Sequence, residues 1–470
     1  MAKYFITTPI YYVNAKPHVG HMYTLIAADV LARHYRAKGD TVLFSTGVDE
    51  NSQKNVEAAQ KQSMDPQAYV DQMASVWKET FDTLGTTYDT FVRTTSPEHK
   101  VAVQAMISAI QQAGDIYMGT YEGYYCVGCE EFIAKKDLVD GKCAIHKTQP
   151  NIIKEQNYFF KLSKYRDQLL AWYEKGPEAV QPASARNKML AYITDEMEDI
   201  SISRQAQEWG IRFPKDDKHA VYVWFDALIN YLTVTGYPKP GYEKTWPADL
   251  HLIGKDIIKF HCAIWPAMLL SANLPLPNKI FAHGFFTVNG EKISKSLGNA
   301  IDPKELLKEY SLDAIRYYLL REIPFGNDGD FSQERLRGRY NSELANGIGN
   351  LVSRTLTLVE KNCPDIVFEP KELPNIASHI ESLAFERALT EIWQEVARLD
   401  GVIDTKKPWE LAKAEKREEL HSVLAEVLSG ISAIANALAP LLPETAKKIQ
   451  ALLSARPITK PAEPLFARKD

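Results

Sequence analysis

Apolar positions along the first hundred residues follow two alternating rhythms. "KYFIT" (3–7) and "DTVLFSTG" (40–47) are short, rich in β-branched and aromatic residues, and predict strands. "HMYTLIAADVLARHYRAKG" (21–39) and "DPQAYVDQMASVWKETFDTLG" (65–85) carry apolar residues at helical spacing. Alternation of this kind is how a parallel α/β sheet is written in sequence, and it runs through residues 1–114. Over 115–214 it breaks down into tyrosines, cysteines, lysines and short turns, which predicts an insert. The α/β rhythm resumes over 215–290, in "AVYVWFDALINYL", "ADLHLIGKDIIKFHCAIWPAMLLS" and "KIFAHGFFTV".

After a connecting stretch, 291–330, helical spacing dominates residues 331–455. The clearest run is "SQERLRGRYNSELANGIGNLVSRTLTLVEKN", with further helices near 379–400, 408–416 and 417–439. The tail 456–470, "RPITKPAEPLFARKD", is proline-rich and predicted to be extended. "VLAEVLSGISAIANALAPLLP" (423–443) is long enough for a membrane span. Glu426, Asn436, two serines and the prolines near its end favour a helix buried in a bundle instead.

Composition narrows the picture only modestly. A chain of 470 residues is too long for one core. At 45% hydrophobic and 24% charged it is ordinary for a soluble enzyme. A net charge of −5 excludes an overall basic surface, so any polyanion must be met by a local basic face. Five cysteines, an odd number, do not form a disulfide framework. With no charged-then-apolar leader, a cytoplasmic location is expected.

Candidate chemistry begins at "PHVGH" (17–21), where a strand gives way to a helix. Gly20 permits close backbone approach, and a helix N-terminus offers N–H groups and partial positive charge to a phosphate. His18 and His21 would add side-chain donors. Read alone, a capping or surface role for the two histidines is equally good, and a metal role lacks a third ligand nearby. The second segment is "KISKS" (292–296), whose Lys292, Ser294, Lys295 and Ser296 predict a mobile cationic arm for β- and γ-phosphates. A solvated lysine loop is the alternative, disfavoured by the presence of both segments in this order.

"HVGH" and "KISKS" resemble the two signatures of the class I aminoacyl-tRNA synthetases, HIGH and KMSKS, with Val19 and Ile293 as conservative departures. "TTPIYYVN", "YVWFDALINY" and "GKDIIKFHCAIWPAML" are similar to the methionyl-specific branch of that family, over residues 4 to about 466. The resemblance implies an α/β fold: a Rossmann-type parallel sheet split by a zinc-binding connective insert, then an all-α anticodon-binding helical bundle. It implies activation of L-methionine by ATP to methionyl-adenylate and pyrophosphate, then transfer to the 3' end of tRNA(Met). His18 and His21 would stabilise the pentacoordinate phosphorus, and Lys292 and Lys295 the leaving pyrophosphate, with Mg2+ on the outer phosphates. Gly20, Asp256, His283, Gly284, Ser294 and Ser296 would complete the ATP site. A methionine pocket would be lined by Ile10, Tyr12, Trp224, Ala227, Leu228, Tyr231, Ile257, Phe260 and His261, with Asp49 pairing the substrate ammonium. Without the resemblance, Trp224 and Tyr231 read as core residues.

Departures from the usual pattern include Asn51 and Ser52 in "DENSQ" where "DEHGQ" is more common, Leu228 in place of a frequent proline, and Ala467 and Lys469 in the tail. They leave the pocket's fine shape open. A single methyl separates methionine from homocysteine, worth only about 1–3 kcal/mol, so chemical rejection of homocysteine is expected as well. A synthetase for leucine or cysteine, or a catalytically silent tRNA-binding relative, remains open here, although both histidines and both lysines argue against the silent form.

Within the insert, Cys126-x2-Cys129 and Cys143-x2-His146 are separated by thirteen residues. Two close pairs at this spacing predict one closed, structural Cys3His zinc site. Cys262 and Cys363 have no such partners in sequence and are expected as buried thiols. In the helical region, Asn346, Asn350 and Arg354 are four apart and would share one helical face. A solvated face is an equal reading. Trp409, among the lysines of "KKPWELAK", supplies a platform for stacking a base, and the resemblance implies that these four residues recognise a CAU anticodon. A monomer with no membrane association is expected.

Overall fold

Six parallel strands form the central sheet of the computed structural model: β1 Lys3–Tyr12, β2 Thr41–Asp49, β3 Thr90–Arg93, β4 Val180–Gln181, β5 Leu250–Gly254 and β6 Ile280–His283. Their order across the sheet is β3-β2-β1-β5-β6-β4. The structure describes residues 2–126, 131–133, 135–144, 147–205, 208–288, 291–292 and 301–469. Two units divide the chain, Met1–Pro17 with Gly39–His283, and His18–Lys38 with Gly284–Asp470.

In the first unit the chain builds outward from β1 through β2 to β3, then returns to β1's other side as β5. This reversal makes the carboxyl ends of β1 and β5 the topological switch point, where open α/β sheets bind ligands. Phe5, Ile6, Phe44, Val48, Ile253 and Ile280 are fully buried, so the strands are apolar on both faces, as parallel sheets require. Helix starts follow local chemistry: Asp65 and Ser96 cap Pro66–Thr83 and Pro97–Gln112, each with proline in the first turn.

The insert holds a long antiparallel pair, Ile116–Cys126 with Asn151–Phe160, in register from Ile116↔Phe160 to Tyr125↔Asn151. Glu131–Ile133 and Ile200–Ser201 complete its four-stranded sheet. β4 falls inside the stretch 115–214, yet its Val180 pairs with Ile280 at the edge of the central sheet.

The second unit is mainly helical. The long apolar helix Arg417–Leu438 packs against Phe385–Lys406 and Pro443–Ser454, with Leu424, Val427, Leu428, Ile431 and Ile434 buried. Among the described residues it is the one helix long and apolar enough to cross a membrane, and 61% of its most apolar window is buried. Helix Val19–Ala37 is anchored through Asp29, whose Oδ2 accepts from Arg316 Nη1 at 2.7 Å; Arg316 also donates to the carbonyls of Leu441 and Pro440. Both side chains are wholly buried, and the carbonyls supply the extra hydrogen bonds that such a pair needs. The tail is tied down by reciprocal bonds between Asn341 and Lys469, and by Tyr340 donating to the Ala467 carbonyl.

Candidate active site

In the second unit, His18 is the N-cap of helix Val19–Ala37, with extended backbone (φ −135, ψ 174). Its Nδ1 accepts the Gly20 N–H at 3.2 Å, while His21 Nδ1 accepts the His18 N–H at 3.0 Å. This is a capping box made from two imidazoles instead of a hydroxyl and a carboxylate. An Nδ1 that accepts must be unprotonated, so each neutral ring carries its proton on Nε2. The rings stand 3.8 Å apart, tilted by 33°. A Cβ on residue 20 would lie 3.0 Å from His18 Cε1, so glycine lets the ring fold over the helix start.

The first-turn amides are already used. Val19 N–H donates to the Ile301 carbonyl at 3.1 Å, Gly20 N–H to His18 Nδ1, and His21 N–H to the His18 carbonyl at 2.9 Å. The accepting Nδ1 atoms leave the ring protons on the two Nε2 atoms. Lys292 pairs through its backbone with Thr287. Ser294, Lys295 and Ser296 lie outside the described residues. Gly284 has a packing reason to be glycine, because a Cβ there would sit 2.0 Å from the Asn327 carbonyl oxygen.

In the first unit, the structure joins several of the predicted pocket residues. Trp224, on the short helix Val223–Ala227, stacks on Phe260 at 4.0 Å and 9°. Tyr12, at the end of β1, meets Trp224 edge-on at 6.1 Å. Tyr231 OH lies 2.7 Å from His261 Nε2, and His261 Nδ1 lies 3.0 Å from the Ile257 carbonyl oxygen. Nδ1 must donate to that carbonyl, so Nε2 accepts and the tyrosine donates. Burial pushes the His261 pKa down to about 4, which keeps the ring neutral at pH 7, and burial pushes the Tyr231 phenol up. Ala227, Leu228, Tyr231 and His261 are buried, while Ile10, Tyr12, Trp224 and Ile257 are half-buried. Asp49, the last residue of β2, is buried and accepts the Asn51 N–H on Oδ1 at 3.3 Å. Asp256 is exposed in the turn after β5, and His283 is buried at the end of β6.

Sequence reasoning missed the support behind Tyr231. The ring of His251, on β5, lies 4.3 Å from it. Trp265 Nε1 donates to His251 Nε2 at 3.3 Å, which leaves Nδ1–H for Thr7 Oγ1 at 2.7 Å. A histidine inside a buried parallel strand gives no signal beyond that of a core residue.

Of the four expected zinc ligands, Cys126 and Cys143 are described and buried; Cys129 and His146 lie outside the described residues. Among the described residues no three His, Cys, Asp or Glu side chains cluster as a metal site. Cys143 ends the short strand Lys142–Cys143; its N–H donates to the Thr148 carbonyl and its own carbonyl accepts the Lys147 N–H. Two buried thiols, on strands of two different sheets of the insert, suit a thiolate-rich zinc site.

In the helical region, the segment Tyr340–Gly349 is wound with a wider turn than an α-helix, and Gly347 breaks it at φ −83, ψ −106. The break falls between Asn346 and Asn350, so the single regular face expected for Asn346, Asn350 and Arg354 does not hold. Asn350 and Arg354 do share the regular helix Asn350–Asn362. Asn346 and Asn350 are exposed, Arg354 bonds to Asp404 at 3.3 Å, and Trp409 is half-buried on the short helix Pro408–Lys413.

The profile of the family described as "tRNA synthetases class I (M)" matches residues 4–137 and 133–356. The chain belongs to the class I methionyl-tRNA synthetases. The methionine–tRNA ligase of Caldanaerobacter subterraneus subsp. tengcongensis is 45% identical over 465 residues, covering 95% of this chain and 73% of its own length. That of Thermotoga maritima is 44% identical, covering 95% and 74%. The structure of Mycobacterium tuberculosis methionyl-tRNA synthetase in complex with methionyl-adenylate is similar over 100% of both chains, at 36% identity and TM-score 0.94. Its free form gives TM-score 0.87 at 34% identity, covering 100% of this chain and 99% of that one. Membership in the methionyl-tRNA synthetases sets aside the leucine, cysteine and silent readings left open by the sequence.

Proposed function

We infer that this methionine–tRNA ligase works in two steps. The carboxylate of L-methionine attacks the α-phosphorus of ATP, expelling pyrophosphate, and the methionyl group of the adenylate then passes to the 3' end of tRNA(Met). The observation that carries the first step is the reciprocal capping of His18 and His21, which orients both Nε2–H donors before substrate arrives. Preorganised donors aimed at developing phosphate charge need no reorganisation in the transition state. Lys292 and Lys295 stabilise the departing pyrophosphate; Gly20, Asp256, His283, Gly284, Ser294 and Ser296 contribute to ATP binding. Mg2+ would come with ATP as part of the substrate and would supply charge neutralisation on the outer phosphates.

Methionine is selected by an apolar, aromatic pocket with one carboxylate. Asp49 takes the ammonium group. Tyr12, Trp224 and Phe260 present ring faces and edges to a polarizable thioether, which favours such contacts. Ile10, Ala227, Leu228 and Ile257 narrow the slot, and the Tyr231–His261 pair closes it with groups whose hydrogen bonds to each other and to Ile257 are made. Cys126, Cys129, Cys143 and His146 would hold one structural zinc, whose chemistry is to tie the insert together. Asn346, Asn350, Arg354 and Trp409 read the CAU anticodon, the chain acts as a monomer in the cytoplasm, and the insert meets the acceptor end. ATP–pyrophosphate exchange with methionine, leucine and cysteine tests this: exchange confined to methionine is expected, and strong exchange with either of the others would defeat the pocket assignment.

A further inference from the structure

Asn51 lies two residues beyond the end of β2 and is almost wholly buried, at 3% exposure. It stands where this chain departs from the more common "DEHGQ". Its side-chain nitrogen donates to Asp226 Oδ2 at 3.2 Å and to the Thr94 carbonyl at 3.2 Å. Both partners are acceptors only, so the amide must turn its NH2 toward them. Its backbone N–H donates to Asp49 Oδ1. Asp226 is fully buried on helix Val223–Ala227, between Trp224 and Ala227 in that helix. On the carboxylate's other side, Asp226 Oδ1 is 3.9 Å from the buried ring of His99, which Thr233 Oγ1 holds at 2.9 Å.

Asn51 thus joins two elements that the pocket uses for opposite ends of one ligand. Its main chain sets the carboxylate of Asp49, and its side chain holds the helix that carries Trp224 and Ala227. We propose that Asn51 is a positioning residue for methionine, fixing the separation between the ammonium partner and the thioether pocket by tying Asp49 to the Asp226 helix. Asn51 touches neither reacting group. Its effect passes through residues that meet the substrate in both the ground and transition states, so its loss weakens binding and leaves the chemical step alone. The inference rests on the reading of Asp49 and Trp224 given above.

The test is steady-state ATP–pyrophosphate exchange with the full chain. Asn51→Ala is expected to raise the methionine KM about tenfold while kcat and the KM for ATP stay within about threefold. Asn51→His keeps a ring N–H donor and is expected to bring the methionine KM back to within about threefold of the parent. A folded Asn51→Ala protein with unchanged methionine KM overturns the proposal, as does a uniform fall in activity that Asn51→His fails to relieve. Should Asn51→Ala not fold, the near-isosteric Asn51→Asp removes the donor and sets carboxylate against carboxylate across the same tie; a raised methionine KM supports the proposal and an unchanged one overturns it. Asp49→Asn separates the two levels. If it leaves methionine KM unchanged, the pocket reading itself falls; if it raises KM while Asn51→Ala does not, only the positioning role falls.

Discussion

His21 Nδ1 accepts the backbone N–H of His18, and that single bond, 3.0 Å long, decides which nitrogen of His21 carries a proton. Under the proposed mechanism one side chain would serve both helix capping and phosphate recognition. The capping groups usual at this position, hydroxyl and carboxylate oxygens, could close the helix but would offer an anion no N–H.

Removing the Tyr231 hydroxyl leaves His261 Nε2 as a buried acceptor without its donor. Such a loss costs about 1–3 kcal/mol. Tyr231→Phe is therefore expected to raise the methionine KM roughly tenfold or lower the melting temperature by several degrees. Isothermal binding of methionine together with thermal unfolding reads both, and no change in either contradicts the assigned tautomer.

Buried histidines make the first unit acid-sensitive. Burial holds the pKa of His99 at about 3 and of His261 at about 4, and that of His251 well below its usual value. In the unfolded chain each takes up a proton near pH 6.5, so between pH 6.5 and 4 the unfolded state binds more protons. The stability contributed by the neutral rings is fully present above pH 6.5 and is lost as pH falls toward 4. Each ring contributes a slope of about 1.4 kcal/mol per pH unit. Denaturant unfolding at pH 7, 6 and 5 is expected to show midpoints falling together with pH. His99→Gln is expected to flatten that slope, and a variant profile as steep as the parent's contradicts neutral burial.

Much of this architecture was visible in the pattern of residues, and what escaped has identifiable causes. The strand–helix alternation of residues 3–112 survives because each element is long enough to show its period. β4 was hidden because Val180–Gln181 is only two residues long and sits among insert residues. The spacing of "ELANGIGN" predicts a continuous helix through Gly347, yet its backbone breaks the regular step between Asn346 and Asn350. A capping role for His18 and His21 is one of the readings the sequence offers, but their reciprocal box is less legible, since Ser, Thr, Asp and Asn are the residues that normally announce a cap. Asn51, Asp226 and His99 are brought together only by folding, and local spacing does not register such contacts.

Zinc removal tests the insert on its own. The purified chain is expected to carry one zinc per molecule, lost in Cys143→Ala. Loss of the metal is expected to loosen the insert, seen as faster proteolysis within 126–146, while the rest of the chain unfolds at an unchanged temperature. Full zinc retention in Cys143→Ala contradicts the ligand set.

On the proposed reading, Trp409 would bear on tRNA alone. Trp409→Ala is expected to leave methionine-dependent pyrophosphate exchange within about twofold of the parent and to weaken aminoacylation by about 1–3 kcal/mol, the worth of one base–aromatic stack. Loss of exchange in this variant contradicts the assignment of the helical region to the anticodon.

The account depends most on the imidazole donors, and single-turnover formation of methionyl-adenylate by His21→Ala tests them most directly. The rate of adenylate formation is expected to fall about 100- to 1,000-fold, as for loss of one preorganised donor, with methionine affinity within about twofold of the parent. An adenylation rate equal to the parent's, in a folded protein, would contradict it.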